Sequence, residues 1–202
     1  MTGQARLDPR TTALVLIDLQ RGVVEEGLGA GIPFAPHKPA DVVANARRLA
    51  LTLSGLGGTV IMVRGSMGIG GPPPFTPTAD VTFPAGPVDP RLAELVPDLA
   101  DLEAKHVVKH QWGSFYGTDL EPQLRGRGID TLLFGGVATN LGVEAAAREA
   151  HDRGFEQILV EDATTAFDGR AHQDSIDRIF RLIGRVRSTQ QVVAALEAGA
   201  DQ

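Results

Sequence analysis

The chain has 202 residues, a length typical of one domain and sufficient to bury a full hydrophobic core. Its net charge is -6, and no stretch is basic enough to follow a phosphate backbone, which argues against nucleic-acid binding. It contains no cysteine, so disulfides, thiolate metal sites and a cysteine nucleophile are all excluded.

The N-terminal segment, MTGQARLDPR, lacks the apolar region of a secretory signal, and no later apolar run is long enough to cross a membrane. We therefore predict a cytoplasmic protein that does not bind membranes. The chain shows neither an internal repeat nor a linker that divides it, which predicts a single domain over residues 1–202.

Six short apolar runs predict β-strands, and helical patterns separate them. Apolar residues recur at helical spacing within 39–53 and 168–183, while TDLE (118–121) and STQQ (188–191) have the form of capping boxes. This alternation predicts an α/β protein of three layers, in which helices cover both faces of a doubly wound, mostly parallel, six-stranded sheet. The predicted strands are 13–17, 58–64, 106–109, 130–136, 156–162 and 184–187.

One segment, 64–90, follows neither the strand period nor the helix period. It contains seven prolines and five glycines. An irregular surface connection would explain this composition, but a loop of this length in a compact domain is often a lid or a subunit contact. Both interpretations stay open.

Three residues mark the predicted carboxyl ends of the strands, where open parallel sheets bind their ligands. Asp18 follows the first strand, Lys109 closes the third, and Gly142 lies in the first helical turn after the fourth. Each also has an ordinary structural explanation, as a turn residue, a solvated lysine or a packing glycine. Together they place a carboxyl group, an ammonium group and anion-favouring helix amides at one edge of the sheet. This combination predicts an active site.

Longer stretches around these residues resemble a known family. LVLIDLQ, which contains Asp18, and the segment VVKHQWGSFYGTDL…GGVATNLGVE…VEDATTAF are similar to the isochorismatase-like hydrolase superfamily over nearly the whole chain. Most members of that superfamily hydrolyse amides with an Asp, Lys and Cys triad. The resemblance assigns the Asp to Asp18, the Lys to Lys109 and the position of the Cys to Gly142, so this chain departs from the family at its nucleophile.

True isochorismatases are similar to this pattern with Gly at that position. They cleave a vinyl ether by acid-base chemistry, in which the Asp protonates the enol-ether carbon and water attacks the resulting cation. The resemblance therefore implies a hydrolase that uses Asp18 and Lys109, without a cysteine, on a small molecule such as isochorismate. Two alternatives stay open: an amidase in which Asp18 activates water, and an inactive homologue that binds a small molecule. Family resemblance also implies a homo-oligomer, either a dimer or a tetramer.

Metal-binding members of the superfamily carry an Asp-x-His motif after the second strand, where this chain has VRGSMG. We therefore expect neither a metal nor another cofactor, and the histidines are too scattered in the sequence to suggest a metal site. Members commonly have a cis peptide bond at the elbow after the fourth strand, here Val137–Ala138.

The remaining candidates are substrate-binding residues, each with a structural alternative. Arg64 has the forked geometry to bind a carboxylate but is also suited to a surface ion pair. Three aromatic residues near Lys109 would wall a ring-shaped substrate or belong to the core. The full set of candidates is Gln20, Arg64, Trp112, Phe115, Tyr116, Val137, Ala138, Thr139 and Asn140.

Overall fold

The structure is a computed structural model that describes residues 6–25, 33–66, 78–80 and 89–200. Most of the segment 64–90, for which the sequence leaves a lid or a subunit contact open, lies outside these residues. Among the described helices, none is long and apolar enough to cross a membrane.

The six predicted strands form one sheet, and every neighbouring pair runs parallel. Their spatial order is β3-β2-β1-β4-β5-β6, so the chain moves outward in one direction from β1 and in the other from β4. This confirms the predicted fold class and places the reversal of strand order between β1 and β4, where such sheets bind ligands. The strands are β1 (Thr12–Ile17), β2 (Thr59–Gly65), β3 (Lys105–Lys109), β4 (Thr131–Val137), β5 (Glu156–Thr165) and β6 (Arg185–Arg187).

Helices cover both faces of the sheet. One face carries α2 and α8, whose apolar residues pack with alternate residues of β1 and β2, such as Leu14 and Met62. The other face carries α4 and α5, which pack on the remaining set, such as Val15 and Val63. Wide helical turns at Thr139–Val143 and Ile176–Phe180 lead into α5 and α7. The helices are α1 (Arg21–Val24), α2 (Pro39–Gly55), α3 (Pro97–Ala100), α4 (Leu120–Arg125), α5 (Glu144–Asp152), α6 (Gly169–Ser175), α7 (Arg181–Ile183) and α8 (Thr189–Ala200).

One of the two predicted capping boxes forms. At the start of α8 the Ser188 N–H donates to Gln191 Oε1 (2.9 Å), and the Gln191 N–H donates to Ser188 Oγ (3.3 Å). The prediction for TDLE is wrong, because α4 begins at Leu120 and Glu121 is then only its second residue. Glu121 pairs instead with Arg153 at 3.1 Å.

The end of β4 packs unusually closely on β1. Gly136 has a φ of +119°, and a Cβ at this position would overlap the backbone of Ile17. Only glycine satisfies both conditions. The absence of a side chain at Gly136 therefore brings the elbow after β4 next to the residue that follows Ile17, which is Asp18.

Candidate active site

Asp18 turns the chain at the end of β1. Its φ is +53°, in the left-handed region that aspartate enters more readily than most residues. Its backbone N–H still donates to the carbonyl of Val63 (2.9 Å), so the turn begins within the sheet. The carboxylate then lies over the end of β2, where Oδ1 accepts a hydrogen bond from the Gly65 N–H (3.0 Å).

Lys109 ends β3 with its side chain buried. Its ammonium nitrogen lies 2.8 Å from Oδ2 of Asp18 and donates to the carbonyl of Trp112 at 2.9 Å. The residue is only 2% exposed. A charge this deeply buried needs hydrogen-bond partners, and an Asp18 oxygen and the Trp112 carbonyl supply them.

Gly142 lies next to both Asp18 and Lys109. A Cβ at position 142 would lie 3.0 Å from Lys109 Nζ and 3.1 Å from Asp18 Oδ2. Any side chain there would contact both groups. The structure therefore brings together Asp18, Lys109 and Gly142, which the sequence places at the ends of three different strands.

Two opposing effects set the protonation of Asp18. Burial is the larger and raises the pKa of its carboxyl group, because the charged form loses its hydration. The charge of Lys109, its hydrogen bond and the Gly65 N–H lower that pKa by stabilising the carboxylate. The net direction is upward, so Asp18 keeps its proton to a higher pH than an ordinary aspartate.

Gln20 supports Asp18 from a neighbouring position. Its side-chain amide donates to the carbonyls of Gly65 (3.0 Å) and Ala93 (2.9 Å). Its Oε1 accepts from the Gly65 N–H (2.7 Å), the same group that donates to Asp18. Both amide N–H groups of Gln20 are therefore engaged within the protein, and its position fixes the end of β2. The sequence does not predict that the Gly65 N–H binds Asp18 and Gln20, because Gly65 lies there at the start of a segment rich in proline and glycine.

The three aromatic candidates occupy different environments. Phe115 is buried in the core against Phe155, so the structure supports the alternative that it is a core residue. Trp112 and Tyr116 are 58% and 71% exposed. The backbone carbonyl of Trp112 accepts a hydrogen bond from Lys109. Because this contact involves a backbone atom, the residue type at position 112 does not predict it.

The segment 112–116, which carries Trp112, Phe115 and Tyr116 and is called the aromatic loop below, is held by a carboxylate on α5. Glu149 Oε2 accepts from the Phe115 N–H at 2.9 Å, and Oε1 accepts from the Tyr116 N–H at 3.3 Å. The loop that carries the Trp112 carbonyl is thereby attached to the same helical segment that begins near Gly142.

Arg64 is not brought to the pair. In the register of β2 with β3, Gly65 lies beside Lys109 and Arg64 beside Val108. Because side chains alternate along a strand, Arg64 lies on the face opposite Lys109. Its charge instead lowers the pKa of His106, secondary to the burial of that imidazole.

The elbow after β4 contains the predicted cis peptide bond between Val137 and Ala138, which confirms that expectation. Both residues are buried in the core. The Thr139 hydroxyl contacts His172 Nδ1 at 2.8 Å, so this side chain is directed to a second polar cluster. Asn140 is half-buried.

That second cluster corrects the interpretation that the histidines are scattered. His37 Nε2 lies 2.7 Å, and His172 Nε2 3.3 Å, from the same oxygen of Glu161. The hydrogen bond to His172, and the bond and charge of His37, lower the pKa of Glu161 to about 2 despite its burial. The three residues come from a loop, β5 and α6, so their proximity depends on the fold and is invisible in the sequence.

Comparisons with known proteins agree with the resemblance seen in the sequence. The isochorismatase domain matches residues 12–191. YecD of Escherichia coli O157:H7, an uncharacterised isochorismatase family protein, is 39% identical over 94% of this chain and 98% of its own. An isochorismatase family protein of Burkholderia thailandensis has a TM-score of 0.87 at 38% identity, covering 96% of this chain and 100% of its own.

One similar protein is named for the reaction that it catalyses. The ureidoacrylate amidohydrolase RutB of Methylobacterium radiotolerans is 29% identical, covering 96% of this chain and 85% of its own. Both the family and this relative are hydrolases. The chain therefore belongs to the isochorismatase family of hydrolases.

Proposed function

We propose that this protein hydrolyses a small molecule by acid-base catalysis at Asp18 and Lys109, and that its substrate is a vinyl ether such as isochorismate. One observation carries the proposal. Position 142 faces both the carboxylate and the ammonium group within about van der Waals contact, and its residue has no side chain. Since the chain contains no cysteine, the family's usual covalent route is closed to it. Proton transfer is the chemistry that the remaining pair supports.

The reaction begins with protonated Asp18. The carboxyl group gives its proton to the terminal carbon of the double bond, and the π electrons form the new C–H bond. The carbon attached to the ether oxygen becomes an oxocarbenium ion, which water attacks. The water loses a proton to the Asp18 carboxylate, which gives a neutral hemiketal. The C–O bond to the departing oxygen then breaks as that oxygen takes the proton from Asp18, and the hemiketal hydroxyl group returns its own proton to the Asp18 carboxylate as the C=O bond forms. The net reaction converts a vinyl ether and water into an alcohol and a ketone.

Lys109 acts through charge. When Asp18 gives up its proton, the new carboxylate lies 2.8 Å from the ammonium group, and both side chains are mostly buried. A fixed positive charge in such a site stabilises the developing negative charge without solvent reorganisation. Burial alone would hold the proton on Asp18, so the lysine makes its release easier. Asn140 and the ring of Trp112 remain candidate substrate contacts, because they lie near Gly142 and Lys109 in the chain.

An amidase in which Asp18 activates water is the second candidate, and the similarity to RutB supports including it. The decisive experiment is turnover of purified protein on isochorismate, other enolpyruvyl ethers and small amides, with pyruvate and ammonia as the measured products. We expect pyruvate release from the vinyl ether and none of the amides to be hydrolysed. Ammonia from an amide, abolished in Asp18→Asn, would replace our proposal with the amidase. Binding of these compounds without any turnover would favour the inactive homologue.

We also propose that residues 1–202 form one domain that assembles as a homo-oligomer. The family domain spans 12–191, and both core clusters share one sheet. The edge strand β3 and the loop after it expose Val108, Trp112 and Tyr116, which are apolar or aromatic. Light scattering at micromolar concentration should report a dimer or tetramer, and a monomer would contradict the proposal. The cytoplasmic location stays a prediction.

A further inference from the structure

The cluster of His37, Glu161 and His172 shares no hydrogen bond with Asp18 or Lys109 among the described residues, and it plays no part in the proposed reaction. Each residue offers one ligand atom, and the three atoms lie within 4.8 Å of one another. Two imidazole nitrogens and a carboxylate oxygen that converge in this way are the donor set of three-ligand zinc sites, in which water takes the fourth position. We propose that these three residues bind one zinc ion.

The two distances to the Glu161 oxygen are close to the ligand separations of a tetrahedral zinc site. Zinc ligands at about 2.0–2.1 Å from the metal are separated by about 3.3 Å in a tetrahedron. His172 Nε2 already lies 3.3 Å from Glu161 Oε1. His37 Nε2 lies closer, at 2.7 Å, and this half-buried loop residue needs to retreat by about 0.6 Å to reach the tetrahedral separation.

Outer contacts orient the ring of His172, as is usual around metal ligands, and hold the backbone of His37 in place. His172 is fully buried, and its second ring nitrogen contacts the Thr139 hydroxyl (2.8 Å), which leaves Nε2 directed at Glu161. The backbone of His37 is held by the Thr165 hydroxyl, which donates to its carbonyl at 2.8 Å. Just before it, Ala35 pairs with the backbone of Ala166 in both directions. The Nε2 of His172 is therefore positioned before any ion binds, and the loop that carries His37 is fixed beside it.

The site is also accessible. Glu161 and His37 keep about a third of their side-chain surface exposed, at 35% and 28%. Glu161 lines an open surface cavity of about 340 Å³ beside β6 and α8. An ion and its fourth ligand, a water molecule, have a path from solvent. Two imidazoles favour zinc over magnesium or calcium, which prefer all-oxygen sites.

This site differs from the family's Asp-x-His motif, whose absence still predicts a metal-independent reaction. The experiment uses full-length protein treated with a chelator and then dialysed. Titration with zinc is expected to give one ion bound per chain, and addition of Co²⁺ to give the intense visible absorption of a tetrahedral site. Zinc at a hundredfold excess over its Kd should raise the Tm by about 5 °C or more.

The variants separate a metal site from a hydrogen-bonded cluster. His37→Gln and Glu161→Gln, both at half-buried positions, should weaken zinc binding by at least about a hundredfold, more than the loss of an outer hydrogen bond does. His151→Gln, at an exposed histidine near the end of α5, should bind zinc normally. Absence of stoichiometric zinc in the parent, or equal binding by all three variants, would overturn the proposal. Because the readouts are binding, absorption and Tm, they stand whether or not a substrate is found.

Discussion

Lys109 reaches Asp18 across an intervening strand: the two residues end β3 and β1, and β2 lies between them. The strand between them ends in Gly65, which lies beside Lys109 in the sheet register and has no side chain to compete for the space. The backbone N–H of Gly65 donates a hydrogen bond to the Asp18 carboxylate. The pair is therefore built from three adjacent strand ends, each of which contributes one group.

Asp18→Asn should lower the rate by on the order of a hundredfold or more, because the amide keeps the shape of the carboxyl group but transfers no proton. The measurement is kcat on the substrate identified by the screen, with circular dichroism to verify folding. Asp174→Asn, at a helical position whose side chain is about half exposed, is the matched control and should retain parental activity. A rate for Asp18→Asn within threefold of the parent would exclude a proton-transfer role.

The pH profile should distinguish the two candidate reactions. As a general acid Asp18 must be protonated, and its pKa is raised, chiefly by burial. Activity is then fully present below that pKa and is lost as pH rises through it. An Asp18 that activates water must be ionised, so its activity would rise with pH over the same window. Measuring kcat/KM against pH gives the sign directly, and a rising limb would contradict the vinyl-ether mechanism.

Lys109→Met should shift the pH at which activity is lost to a higher value, and it should also lower the maximal rate. The substitution keeps the buried stem but removes the charge that opposes the effect of burial on Asp18, so the pKa of Asp18 rises further. The direction of the shift is the informative readout, since a merely structural defect would lower the rate without moving the limb. A shift to lower pH would show that Lys109 does not stabilise the Asp18 carboxylate.

Gly142→Cys tests whether the site is a disabled amidase. The new Cβ would lie about 3 Å from both Lys109 and Asp18, closer than ordinary contact, so substrate and water lose space. We expect native activity to fall by roughly tenfold to a hundredfold and amidase turnover to be weak at most. Gly142→Ala is the control that introduces the Cβ without a thiol. Robust thiol-dependent amidase activity, from a parent inactive in every assay, would identify the parent as a binding protein.

Gln20→Ala should destabilise the fold by about 2–4 kcal/mol, because it removes three part-buried hydrogen bonds, to the carbonyls of Gly65 and Ala93 and from the N–H of Gly65. Urea denaturation measures this loss. Gln173→Ala, on the surface of α6, makes a single exposed contact and should change stability by no more than about 0.5 kcal/mol. Equal losses in the two variants would show that the Gln20 contacts contribute little.

The sequence predicts the sheet well because buried parallel strands are continuous apolar runs, and their predicted bounds agree with the structure to within a few residues. The prediction ends β5 too early. It stops at Asp162, whereas the strand continues to Thr165, since the polar residues Glu161 and Asp162 find partners in His37 and Thr189. Polarity alone wrongly indicates the end of the strand there.

The site is predicted only in part, for reasons of register and distance along the chain. Asp18, Lys109 and Gly142 follow recognisable strand ends, so topology brings them together. Whether Arg64 lies on the same face of the sheet as Lys109 depends on which residue of β3 it pairs with, and the residues around Arg64 do not determine that register. The contacts made by Gly65 and by the Trp112 carbonyl involve backbone atoms, which leave no trace in residue type.

The attachment of the aromatic loop to Glu149 limits where the chain can change length. Gly142 and Glu149 lie about two turns apart on one helical segment, so they point in a similar direction. One end of this segment faces the Asp18–Lys109 pair, and the other holds the loop that gives Lys109 its carbonyl partner. A single residue inserted between them would rotate Glu149 by about 100° and detach the loop. Relatives that gain or lose residues should therefore do so outside this stretch, whatever substrate they accept.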